Sequence, residues 1–154
     1  MSSMNIDDRP DAGPEDATAT AEPLDVDGLA RKFQKELNSG LIGLVLLTVL
    51  AGAGEDLYGY QIAKRLQGIG AGVSPMKQGA LYPVLRTLSA HGLLASRVVP
   101  SYAGPPRRYY RITDAGRDTL ARWLPIWKGT RDFVDAVAVP AAAPATPANE
   151  SKRP

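Results

Sequence analysis

The stretch KQGALYPVLRTLSAHGLL (residues 77–94), followed at once by ASRVVPSYAGPPRRYYRITDAG (95–116), decides how this chain folds. In its first half Leu81, Val84, Leu85 and Leu88 stand at i, i+3, i+4 and i+7, which puts four apolar side chains on one face of a helix. Lys77, Gln78, Tyr82 and Arg86 fall off that stripe. Ser74-Pro75 would serve as an N-cap and first turn, but a start there buries Pro83 deep in the helix, where it removes a backbone bond. A start near Lys77 or Gln78 keeps Pro83 closer to the first turn and is preferred. His91-Gly92 supplies the stop. Residues 93–99 and 107–112 then alternate as strands around a Pro/Gly-rich loop, a β-hairpin. In the second strand Arg107, Tyr109 and Arg111 share one side, and Arg108, Tyr110 and Ile112 the other.

Working outward, Thr113-Asp114 caps a last helix that reaches toward Val137. Upstream, residues 24–51 read as helical, in one piece or in two, with Asn38-Ser39-Gly40 as a possible break. Its run from Leu41 to Leu50 is apolar on nearly every side and suits a helix at the centre of a small domain. It is too short to span a bilayer, which takes about 20 such residues. A short amphipathic helix, Tyr58 to Gln67, follows, with Ile62, Ala63 and Leu66 at helical spacing; Gly68, Gly70 and Gly72 make a flexible link. The order helix, short helix, helix, hairpin, helix is that of a winged helix-turn-helix: mostly α, with a small β-hairpin and a C-terminal helix left over.

Composition narrows the function. There is no cysteine and one histidine, His91, so thiol chemistry and histidine metal sites have nothing to build on. We expect no cofactor, no metal and no catalytic residue. The net charge of +2 is unevenly spread. Residues 1–23 hold six acids and one base, and residues 24–139 hold 15 bases and nine acids. The first 23 residues and the Ala/Pro-rich 140–154 are expected to be disordered tails, flanking a winged-helix domain at 24–113 and a helix at 114–139. No leader peptide is legible at the acidic N-terminus, and a cytoplasmic protein without a membrane partner is expected.

Four blocks occur in order: YGYQIAKRL (58–66), GALYPVLRTL (79–88), HGLL (91–94) and GPPRRYYRITDAG (104–116). Together they resemble the PadR family of bacterial transcriptional regulators, over roughly Leu37 to Val137, and most closely its short class with one helix after the wing. The resemblance implies a homodimer that represses transcription from a dyad-symmetric operator, and often a small aromatic effector that releases the DNA. The acidic extension and Pro125, inside the last helix, depart from the pattern.

Within that frame the third helix is the candidate reader of double-stranded DNA, with Lys77 and Gln78 near bases and Tyr82 and Arg86 on phosphates or base edges. Arg107 and Arg108, after a Gly-Pro-Pro tip, suit a wing lying along phosphates. The plain alternatives are a solvated helix face and an edge strand kept soluble by arginines. A winged-helix adaptor that binds protein instead would carry a neutral or acidic third helix and wing, and here both are basic. On the last helix Leu120, Leu124, Trp127, Arg131 and Val134 repeat at four-three-four-three spacing, and a partner helix is expected to cover that stripe. Trp123 and Trp127 stand one turn apart, either as walls for a planar effector or as interface filler. Tyr60 and Tyr110 are expected in the core, Gly59 and Gly116 where the backbone needs glycine, and His91 in solvent at a helix end.

Overall fold

A computed structural model describes residues 23–69 and 77–142, with side chains considered up to 139. The elements are α1 (Val26–Ala53), β1 (Leu57–Tyr58), α2 (Gly59–Ile69), α3 (Gln78–Ala90), β2 (Leu94–Val99), β3 (Arg107–Ile112) and α4 (Asp114–Ala142). The expected tails fall outside the described residues at 1–22 and 143–154, as do Gly70 and Gly72 of the expected link; Gly68 instead lies within α2, which runs to Ile69, and α4 runs on through 140–142.

α1 is one unbroken helix of 28 residues, so Asn38-Ser39-Gly40 makes no break. Continuing the helix keeps the backbone bonds that a break would strand. The Gln34 amide also donates to Asn38 Oδ1 at 2.8 Å, one turn along. Asp25 caps the start by accepting from the Gly28 N–H, and Gly54, at φ 69°, turns the chain out at the end. By length and composition α1 would suffice to cross a membrane, with a mean hydropathy of 1.6. Its second half is instead the centre of the domain: Ile42, Leu46, Leu47 and Leu50 are buried. Its first half leaves Leu29, Phe33 and Leu37 exposed.

Each later element closes on that centre. Leu57, Ile62 and Ala63, then Leu81, Leu85 and Leu88, then Leu94, Tyr110 and Ile112, and finally Leu120 complete one apolar cluster. Leu46, Leu47 and Leu85 are fully buried, each stabilising the fold by about 1.5–3 kcal/mol. Leu120, expected on the face toward a partner, is thus spent in the chain's own core.

The hairpin is joined by a third strand that period-two reading passed over. β1 pairs antiparallel with β3, Leu57 opposite Tyr110, in a sheet of order β1-β3-β2. The segment expected to start helical at Tyr58 therefore begins extended, and α2 starts at Gly59. The Tyr58 N–H donates to Gln61 Oε1, 3.1 Å away, as the chain bends into the helix. β3 spans the expected residues, with Leu94 opposite Ile112 and Val99 opposite Arg107.

α3 starts at Gln78 with Lys77 at its N-cap and Pro83 within it. At its other end His91 is exposed, its Nδ1 2.9 Å from the Thr87 carbonyl, and Gly92 takes φ 75°. Thr113 caps α4: its hydroxyl accepts from the Gly116 N–H at 3.0 Å and faces the Gly92 carbonyl at 2.7 Å. α4 continues through Pro125.

Candidate nucleic-acid interface

α3 and the hairpin meet along a crevice of about 300 Å³ lined by Tyr58, Gly59, Tyr82, Arg86, Pro106, Arg107, Arg108 and Tyr110. Four of the six residues expected at the DNA are brought together here: Tyr82 and Arg86 from the helix, Arg107 and Arg108 from the strand. The geometry follows from the sheet. β3 is the central strand: Tyr109 and Tyr110 pair with β1, and its first residues, Arg107 and Arg108, pair with the end of β2 just past Tyr58, where the chain turns into α2.

Two cations of the crevice, Arg107 and Arg108, are held without being neutralised. The Arg107 guanidinium lies 4.7 Å from the centre of the Tyr58 ring, and an aromatic face attracts a cation while leaving its charge for an outside anion. Arg108 donates to the Ser96 hydroxyl, 3.1 Å away, which is a neutral partner. The other two arginines of the hairpin are differently placed. Asp56, just before β1, pairs with Arg97 at 2.9 Å and Arg111 at 3.6 Å. Arg97 also stacks 5.2 Å from the Tyr109 ring centre. The hairpin thus carries four arginines, and among the described residues the carboxylate paired with it, Asp56, serves the two away from the tip.

Tyr82 is packed onto Gly59. A Cβ at Gly59 would lie 2.9 Å from the ring's Cζ and Oη, so the close approach of this ring requires glycine there. Gln78, one turn earlier, donates to the Tyr82 hydroxyl at 3.3 Å, fixing both side chains on the exposed side of α3. Lys77 sits apart, toward α1 on another side of the helix. Tyr110 is buried as expected; burial raises its phenol above the usual value of 10, against the lowering influence of Arg108 and Arg86. Tyr60 is not a core residue: it is half exposed and stacks on Tyr58, centroids 6.3 Å apart. The sequence alone does not mark Tyr58 or Asp56 as part of the site, and it marks Gly59 only as a backbone requirement. Their signal was Gly-Tyr at a helix start beside a basic strand, too short to read alone.

Trp123 is half-buried over Gly43, and Trp127 is half-buried further along α4. Leu124 and Val134 are exposed, as are Ile126, Phe133 and Val137. Neither tryptophan lines the wing crevice or the cavity between α1 and α3.

The arrangement matches known proteins. A family described as transcriptional regulator PadR-like matches residues 46–122, half the chain, spanning the second half of α1 to the start of α4. A transcriptional regulator of Mycobacterium tuberculosis is 44% identical over 70 residues, covering 44% of this chain and 60% of that protein. The crystal structure of a PadR family regulator from Eggerthella lenta superposes with a TM-score of 0.61 at 32% identity, covering 73% of this chain and 94% of that one. A PadR-like transcription factor from Bacteroides fragilis gives 0.55 at 27%, covering 69% and 98%. With four helices and a three-stranded wing sheet among the described residues, and this sequence match, the chain belongs to the PadR-like family of transcriptional regulators.

Proposed function

We propose that this regulator is a homodimeric repressor that grips operator DNA with α3 and the wing. One observation carries the reading: Tyr82, Arg86, Arg107 and Arg108, drawn from two elements, converge on one crevice with no carboxylate among the described residues that line it. Polar side chains of a helix in the major groove read base edges, and cations on a hairpin tip neutralise phosphates. Gln78, at the leading end of α3, extends that face, and Lys77, at the N-cap on another side of the helix, reaches a flanking phosphate. The winged helix, residues 24–113, does the reading, and the helix from 114 to 139 does the pairing.

Dimerisation follows from the apolar side chains left in solvent. Leu124, Phe133, Val134 and Val137 on α4, and Leu29, Phe33 and Leu37 on α1, are exposed in the single chain. Such an area is stable when a second copy covers it. A twofold pair places its two reading helices about 34 Å apart, one turn of DNA. Trp127, at the edge of that face, and Trp123 behind it suit a planar aromatic effector held between subunits, which releases DNA by favouring a different spacing.

The test is fluorescence anisotropy with a duplex from the promoter of the protein's own gene, against a scrambled duplex, across a range of salt. The promoter duplex should bind more tightly, and binding should weaken with salt. Arg107→Ala/Arg108→Ala should lower the salt slope by about 0.9 per lost phosphate contact. Equal, weak binding to both duplexes at every salt overturns the reading.

A further inference from the structure

A larger cavity, about 680 Å³, lies between α1 and α3. It is separate from the wing crevice. Two residues along a helix turn through about 200°, so Ala80 and Val84, which line this cavity, face away from Tyr82 and Arg86. Ile42, Ala80 and Val84 give it apolar walls, while Arg31 and Lys35 from α1 and Lys77 at the N-cap of α3 stand around them. No aspartate or glutamate among the described residues lines it. Among the described residues neither Lys35 nor Lys77 is in an ion pair. Arg31 approaches Asp25 only at 3.7 Å, with both side chains more than 70% exposed, a contact worth little.

Three cations around an apolar volume repel one another unless an anion joins them. The size falls within the range of small-molecule sites. DNA phosphates would engage the cations and leave the apolar walls unused; a neutral hydrocarbon would do the reverse. We propose that this groove binds an amphiphilic anion, an apolar chain ending in a carboxylate. The body lies on Ile42, Ala80 and Val84, and the head on Arg31, Lys35 and Lys77. From Arg31 to Ile42 α1 rises about 16 Å, the length of a ten-carbon chain and its head. All six α1 residues that line it precede the residues matched by the family. Lys77 is the N-cap of α3, so the ligand draws that cation away from DNA; this coupling rests on the DNA-binding reading, whereas the site itself does not.

The test is calorimetric titration of the full chain with decanoate, with decanol as the uncharged control. One decanoate should bind per chain, with decanol at least about tenfold weaker. Lys35→Gln with Arg31→Gln should cost decanoate a similar factor. These two residues are exposed, so the variant should keep wild-type circular dichroism. Trp123→Phe/Trp127→Phe should bind decanoate as the wild type does. No binding, equal binding of decanol, indifference to the Arg31/Lys35 change, or loss in the tryptophan variant overturns the site. In a second arm decanoate should weaken operator binding by the wild type and not by the Arg31/Lys35 variant. Unchanged DNA affinity with decanoate bound overturns the coupling alone, and a protein that binds decanoate but no duplex overturns the DNA-binding reading instead.

Discussion

Gly116→Ala sets helix propensity against packing, and packing should win. Gly116 lies in the first turn of α4, where alanine favours the helix by about 1 kcal/mol. A Cβ there, however, would stand 2.7 Å from Ile112 Cγ1 and 3.1 Å from the Leu93 carbonyl carbon, and closer still to its oxygen. Neither neighbour can swing aside, since one is backbone and the other a buried strand residue. Relief requires a shift on the order of 1 Å between α4 and the start of β2, an overpacking cost of about 1–3 kcal/mol. That shift also strains the bond from Thr113 N–H to the Leu93 carbonyl, 3.1 Å, and the cap from Gly116 N–H to Thr113, 3.0 Å. At about 1 kcal/mol each, the balance is a net loss of about 2–4 kcal/mol. For a domain of this size that lowers Tm by roughly 10–20 °C. Urea unfolding followed by tryptophan emission suits the question, because both indoles are on α4; protein concentration must be held constant. Gly129→Ala is the control, in the same helix with nothing within 4 Å of its added Cβ, and should gain up to about 1 kcal/mol. A Gly116→Ala protein as stable as the wild type, or a Gly129→Ala protein equally damaged, refutes the steric account.

Leu120→Ala should destabilise by about 2–5 kcal/mol, as a core truncation. Leu124→Ala, at an exposed site, should instead alter the concentration dependence of Tm, with sedimentation as the direct check. Gly59→Ala should displace Tyr82 and lower operator affinity at all salt concentrations alike, distinguishing it in anisotropy titrations from Arg107→Ala, whose effect shrinks as salt rises. The phenol of Tyr110 is raised in the folded state by burial, so its contribution to stability is complete below pH 10 and is lost as pH climbs through the higher folded value. Tyr110→Phe should flatten the fall in urea midpoint above pH 10.

The parts legible in the chain were those with a repeating signal or a capping residue. β3 spans the residues marked by alternation, and α3 begins where Pro83 pushed it, at Gln78. The convergence of Tyr82, Arg86, Arg107 and Arg108 followed from placing that helix beside that hairpin. β1 escaped because two residues show no period; only Tyr109 and Tyr110 opposite make Leu57 and Tyr58 a strand. Asn38-Ser39-Gly40 reads as a break in isolation, yet with helix on both sides the backbone gains nothing by opening. Leu120 shares its heptad spacing with Leu124 and Val134, and spacing alone could not tell which of them the chain's own core would take. Gly59 and Gly116 were expected to serve the backbone. Neither has positive φ, and what excludes a larger side chain is a neighbour, Tyr82 in one case and Leu93 in the other.

The continuity of α1 has a mechanical consequence. Twenty-eight residues of unbroken helix make a rod about 42 Å long, packed into the reading domain at one end and carrying Leu29 and Phe33 at the other. Where two copies join through those ends, each rod is a lever. A tilt of about 5° at the joint moves the far end by roughly 4 Å, close to the 3.4 Å that separates neighbouring base pairs. An adjustment smaller than a side chain at one end is thus enough to put the two heads out of step with the duplex.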